Sequence, residues 1–126
     1  MRGIRGATTV EENTSAAIRE SARELIQSIV TENELDVEDI VSIIFSVSPE
    51  LNSEFPAAGI RELDGEWRYV PFFCTTEIPV PNGIDKCIRV LVHVNTGKSL
   101  KQIKHIYLKR AEKLRPDLLG SKQDNP

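Results

Sequence analysis

The chain has 126 residues, with 16 basic and 19 acidic side chains, two histidines, two cysteines and a formal net charge of −3. That length fits one domain with a modest core, and the acidic balance argues against a broad nucleic-acid surface, which needs excess positive charge. No run is long enough to span a membrane, no signal-like apolar stretch opens the chain, and two cysteines make no disulfide framework, so the expectation is a cytoplasmic protein.

Residues 2–10 alternate well enough for a first strand, which carries Arg2 and Arg5. The polar cluster Glu11-Glu12-Asn13-Thr14-Ser15 offers Asn13 or Thr14 as an N-cap. Ile18, Ala22, Leu25, Ile29 and Val30 then recur at helical spacing, which predicts an amphipathic helix over 15–32 that stops at Asn33. Asp36 caps a short turn into a second strand, Val41 to Val47, broken by Ser48-Pro49. Pro56 suits the first turn of a short helix, Ala57 to Leu63, carrying Arg61. Beyond the turn at Asp64-Gly65, the run from Trp67 to Cys74 reads as extended, with Pro71 marking an edge or a bend. Pro79-Val80-Pro81-Asn82-Gly83 is a loop ahead of a strand from Cys87 to Val94. The segment from Ser99 to about Lys109 reads as a second long helix, with Leu100, Ile103, Ile106 and Tyr107 inward. Arg115 precedes Pro116 and belongs in an extended exit segment. The expected fold is α/β or α+β: a mixed sheet of about five strands with two long helices and one short helix. Residues 1–118 form a single domain in this reading, followed by a polar, flexible tail over 119–126.

The strand from Cys87 to Val94 holds an arginine among apolar residues. Alternation puts Ile88, Val90, Val92 and Val94 on a core face, and Cys87, Arg89, Leu91 and His93 on the other. A guanidinium is always charged and is costly in a sheet interior unless paired. For one such residue a salt bridge or an exposed edge is the simpler account. Arg5 repeats the pattern in the first strand, and two strand-borne arginines in an acidic chain point to a local anion site. Gly97-Lys98-Ser99 would close a phosphate-loop motif, but the position five before Gly97 is Val92, so a turn with a helix cap is expected. His93 and His105 have no Cys or His at ligand spacing, and no triad signature is present, so neither a metal nor a covalent nucleophile is implied. Cys74 and Cys87 read as buried free thiols. Taken singly, Glu77 is a solvated loop carboxylate, Tyr107 a core tyrosine, and Arg61 and Arg115 surface charges.

The strings containing these residues carry more than the residues do. Arg2-Gly3-Ile4-Arg5-Gly6-Ala7-Thr8-Thr9-Val10-Glu11 resembles the opening of the small trimeric α/β class of monofunctional chorismate mutases, the bacillus-type fold. The resemblance continues through Phe55-Pro56-Ala57 with Arg61, Val70-Pro71 with Cys74 and Glu77, Cys87-Ile88-Arg89-Val90, His105-Ile106-Tyr107-Leu108, and Leu114-Arg115-Pro116-Asp117-Leu118. It implies a trimer with sheets packed at its centre and sites between subunits, which rearranges chorismate to prephenate without cofactor or metal. By the same resemblance, Arg89 stands beside the breaking ether bond and Arg5 binds a carboxylate with help from Tyr107. Glu77, with the backbone at Cys74, holds the ring hydroxyl. Phe55, Ala57 and Leu114 supply apolar walls, while Arg61 and Arg115 close the site or steer the substrate toward it. Ala58 departs from the pattern, since a charged side chain can occur there. Phe72 and Phe73 are bulkier than expected beside Cys74, and Glu66 looks like an extra residue in its turn.

Two other readings share some of these features. A trimeric imine deaminase would explain an arginine in each intersubunit cleft, but not the ordered set of strings. A non-catalytic module binding a small carboxylate would use the same groups as the enzyme.

Overall fold

The computed structural model describes residues 1–115. The expected tail over 119–126, and the end of the expected domain at 118, lie outside the described residues. Five strands form one mixed sheet: β1 (Arg2–Thr9), β2 (Ile40–Val47), β3 (Phe72–Thr76), β4 (Cys87–Val94) and β5 (Ile106–Tyr107). Their order across the sheet is β3-β2-β4-β1-β5. The central strand β4 runs antiparallel to both neighbours, whereas β3 is parallel to β2 and β5 is parallel to β1.

One long helix, α1 (Ser15–Glu32), covers one face of the sheet. Thr14 caps it, its hydroxyl accepting from the Ala17 N–H at 3.1 Å. Ile18, Ala22, Leu25, Ile26 and Ile29 bury their side chains against Ile4, Ile43, Phe45, Ile88, Val90, Val92 and Ile106. Fully burying each large aliphatic side chain is worth about 1.5–3 kcal/mol, so this layer is the main source of cohesion. Close approach of helix and sheet needs Gly6, where a Cβ would stand 2.9 Å from the Ile29 Cδ1. The short helix α2 (Ala57–Arg61) packs on α1 through Gly59, where a Cβ would come within 2.2 Å of the Arg19 carbonyl oxygen.

Two expected elements differ. Residues 65–69 form a 3-10 turn, so the extended segment starts at Phe72 rather than Trp67. Trp67 is buried, and its carbonyl accepts the Val70 N–H, which curls the chain before the edge strand begins. The second long helix over 99–109 does not form. That stretch is a single 3-10 turn (Leu100–Gln102), then β5, then a 3-10 segment (Lys109–Leu114). Tertiary partners override the helical spacing here. Gln102 closes the first turn by accepting the Ser99 N–H at 2.8 Å. The buried Asn33 amide then clamps Lys104, donating to its carbonyl at 2.9 Å and accepting its N–H at 2.8 Å. Ile106 and Tyr107 pair with Gly6 and Ala7 of β1. Leu100, expected inward, is 71% exposed. The short helix α2 also ends at Arg61 instead of Leu63.

Candidate active site

The face of the sheet turned away from α1 gathers the charged strand residues. Cross-strand register places Thr75, Ser46, Arg89, Ala7 and Tyr107 side by side, one from each strand. Ile88, Val90, Val92 and Val94 all face the core as expected, so Arg89 faces out from it. Arg5 stands two residues along β1 from Ala7, roughly 7 Å away on the same face, and is exposed. Glu77 follows β3 by one residue, and its N–H donates to the Val47 carbonyl at 2.8 Å, extending the β2–β3 ladder.

Arg89 and Glu77 meet, with Nε 2.9 Å from Oε2, and their side chains are 40% and 31% exposed. The Arg89 Nε–H is angled off that line, so this buried donor has an ionic contact and no hydrogen-bond acceptor among the described residues. Ser46 donates to the same Glu77 Oε2 at 2.9 Å, and the Ile78 N–H donates to Oε1 at 3.0 Å. A carboxylate, a guanidinium with an unspent donor, and a hydroxyl thus share one row of the sheet.

Beside them lies a small apolar cluster: Ala7, Cys87, Tyr107 and Ala111 are buried, with Ile84 and Leu114 packed against it. Tyr107 sits here on β5, not on a helix stripe. Burial pushes the Cys87 thiol up, with the nearby Arg89 charge opposing. His105 accepts the Arg5 backbone N–H on Nδ1 at 2.9 Å. Burial, and then the Arg5 and Arg115 charges, hold its pKa below the usual histidine value. Arg110 clasps Asp85, bonding its carboxylate at 3.0 Å and its carbonyl at 3.2 Å, and so ties the loop before β4 to the segment bearing Leu114 and Arg115.

The other expected binding residues gather elsewhere. Phe72 and Cys74 face the core side of β3, packed against the main cluster. Burial raises the Cys74 thiol pKa, while a backbone hydrogen bond from Ala57 and the Arg61 charge oppose the rise. Cys74, Ala57 and Arg61 therefore form a second group at the sheet edge, with the sheet between them and the Glu77–Arg89 pair. Phe55 is exposed, and Phe73 is exposed on the open face. Alternation along β3 turns the Phe72 and Cys74 side chains to the face opposite Glu77. A groove of about 730 Å³ runs along the solvent face of α1, lined by Arg19, Arg23, Glu24, Gln27 and Glu62 among others, and contains none of the expected residues. Among the described residues no three His, Cys, Asp or Glu side chains converge to hold a metal ion, and no helix is long and apolar enough to cross a membrane.

Sequence reasoning missed Ser46. The signal was present: Ser42 and Ser46 are polar positions four apart in an otherwise apolar strand, hence on one face.

Comparison with known proteins agrees with this architecture. Residues 1–118 match the family model for chorismate mutase type I. The chain is 46% identical over 118 residues to chorismate mutase AroH of Bacillus subtilis, covering 94% of this chain and 92% of that protein. It is 42% identical over 119 residues to chorismate mutase AroH of Thermus thermophilus, covering 94% and 96%. A solved chorismate mutase from Clostridium thermocellum superposes with a TM-score of 0.86 at 42% identity, covering 90% of this chain and 99% of that one.

Proposed function

The chain belongs to the type I chorismate mutases, and on that premise we propose how its residues carry the reaction. The activity is the Claisen rearrangement of chorismate to prephenate, an isomerisation in aromatic amino-acid biosynthesis. One carbon–oxygen bond breaks as a carbon–carbon bond forms, so negative charge grows on the ether oxygen while the ring becomes electron-poor. Groups that bind this charge distribution better than the ground state lower the barrier.

Arg89 is the cation beside the ether oxygen, its guanidinium partly exposed on the open face. Glu77 accepts the ring hydroxyl and sets negative charge near the electron-poor ring. Arg5 binds a substrate carboxylate and Tyr107 donates a further hydrogen bond. Ala7, Cys87 and Leu114 favour the compact conformer in which the reacting carbons approach, which adds an orientational contribution. Phe55, Ala57, Arg61, Phe72 and Cys74 reach the substrate from a neighbouring subunit of a trimer, while Phe73 meets it from the open face that bears Glu77. That arrangement reconciles one chain's two separated groups of residues with a single site. Arg115 steers the dianion inward. The enzyme works in the cytoplasm.

The observation that carries the reading is the Arg89–Glu77 pair: opposite charges fixed 2.9 Å apart on a rigid sheet, where the reaction separates charge. Loss of chorismate absorbance with purified protein, and identification of the product, tests it. Conversion to prephenate that persists in a chelator is expected. No turnover above the uncatalysed rate by a folded protein would overturn it.

A further inference from the structure

Ser46 is placed by β2 directly between Thr75 of β3 and Arg89 of β4. Its hydroxyl donates at 2.9 Å to Glu77 Oε2, the same oxygen that lies 2.9 Å from the Arg89 Nε. A carboxylate has about four lone-pair directions. Ser46 takes one direction of Oε2 and the Ile78 N–H one of Oε1, with the Arg89 charge beside Oε2, so a lone pair remains on Oε1 for a ligand hydroxyl. The base of the side chain is also fixed by β2, through the bond from Glu77 N to the Val47 carbonyl.

We propose that Ser46 is a positioning residue for the rearrangement, acting through Glu77 rather than on the substrate. The inference rests on the role given to Glu77 above. A substrate oxygen that draws Arg89 toward the breaking bond weakens the Arg89 contact to Oε2, leaving Ser46 as the side chain that holds the carboxylate in place. Being neutral, the hydroxyl does so without cancelling the charge that the electron-poor ring requires. A lysine or arginine in its place would orient Glu77 equally well and neutralise it.

The test uses the full-length protein, with chorismate turnover and thermal melting as readouts. Ser46→Ala should lower kcat about ten- to 150-fold, the range for losing a hydrogen bond to a charged group, with KM changed by less than about threefold. Ser46→Thr restores the hydroxyl and should recover most of the loss. In a Glu77→Gln background, adding Ser46→Ala should change kcat by less than about twofold, because residues acting through one another are not additive. Equal losses in both backgrounds, a fully active Ser46→Ala, or a folded Ser46→Thr no better than alanine would each overturn the proposal. Unchanged turnover in Glu77→Gln alone would instead overturn the reading of Glu77, and the inference would fall with it.

Discussion

Arg89 and Glu77 pair at 2.9 Å while both remain partly exposed. Exposed ion pairs contribute only about 0–1 kcal/mol, so a substrate that offers an anionic oxygen to one and a hydroxyl to the other can displace the contact at little cost. Shape then decides what Arg89 does next. Its fork can reach two oxygens, whereas an ammonium is a point donor without that fixed geometry. Arg89→Lys should therefore lower kcat by about 10²–10³-fold, the usual loss for a preorganised donor at developing charge, and weaken substrate binding far less. Steady-state kinetics on a variant that melts like the parent would check this, and equal losses in kcat and affinity would reduce Arg89 to a binding group. Alternation alone exposed Arg89 in the sequence, because four β-branched neighbours had to face the core. The polar position of Ser46 was legible in the strand, but its partner was not, since Glu77 lies 31 positions away, a separation that no local pattern reports.

At the scale of elements, α1 was legible and the segment from Ser99 to Lys109 was not. The spacing of Ile18, Ala22, Leu25 and Ile29 has one reading, and Thr14 and Asn33 mark the ends. Ile103, Ile106 and Tyr107 are equally apolar, but their partners come from β1 and from Asn33, so long-range pairing outweighs local propensity. Asn33 is 1% exposed and joins the α1 terminus to Lys104 by bonding the carbonyls of Ile29 and Lys104 and the Lys104 N–H. Removing the amide takes these partners from the Lys104 N–H and carbonyl at a part-buried position. Asn33→Ala should cost about 1–2 kcal/mol, the scale for losing part-buried hydrogen bonds, measured by urea unfolding. Hydrogen exchange at Lys104 should quicken along with it. Since the same clamp leads into the strand bearing Tyr107, activity should fall even where the protein remains folded. An unchanged Lys104 exchange rate would show that β5 is held by its pairing to β1 alone.

At the scale of the whole molecule, the residues proposed for the site fall into two groups. Arg5, Glu77, Arg89 and Tyr107 gather on the open face of the sheet, whereas Cys74 with Ala57 and Arg61 lies across it at the edge. Ile44 and Phe73 leave that open face partly apolar, and Ile78 and Val80 are exposed just beyond it, as surfaces that meet another copy are. In the cyclic trimer proposed above each interface is heterologous, and the proposal sets one subunit's first group against its neighbour's second group. Two differently damaged proteins can then repair one another. Arg89→Ala removes the first group's cation, and Arg61→Glu sets an exposed negative charge against a dianionic substrate; each alone should be nearly inactive. Under that proposal, unfolding and refolding them together in equal amounts should give mixed trimers. A site is intact when its first group comes from the Arg61→Glu chain and its second from the Arg89→Ala chain, which random assembly gives in roughly a quarter of sites. Activity of the refolded mixture should rise toward that fraction of parental turnover, while the two proteins mixed without unfolding stay inactive. A mixture no more active than its components, in trimers shown to contain both chains, would place the whole site within one subunit.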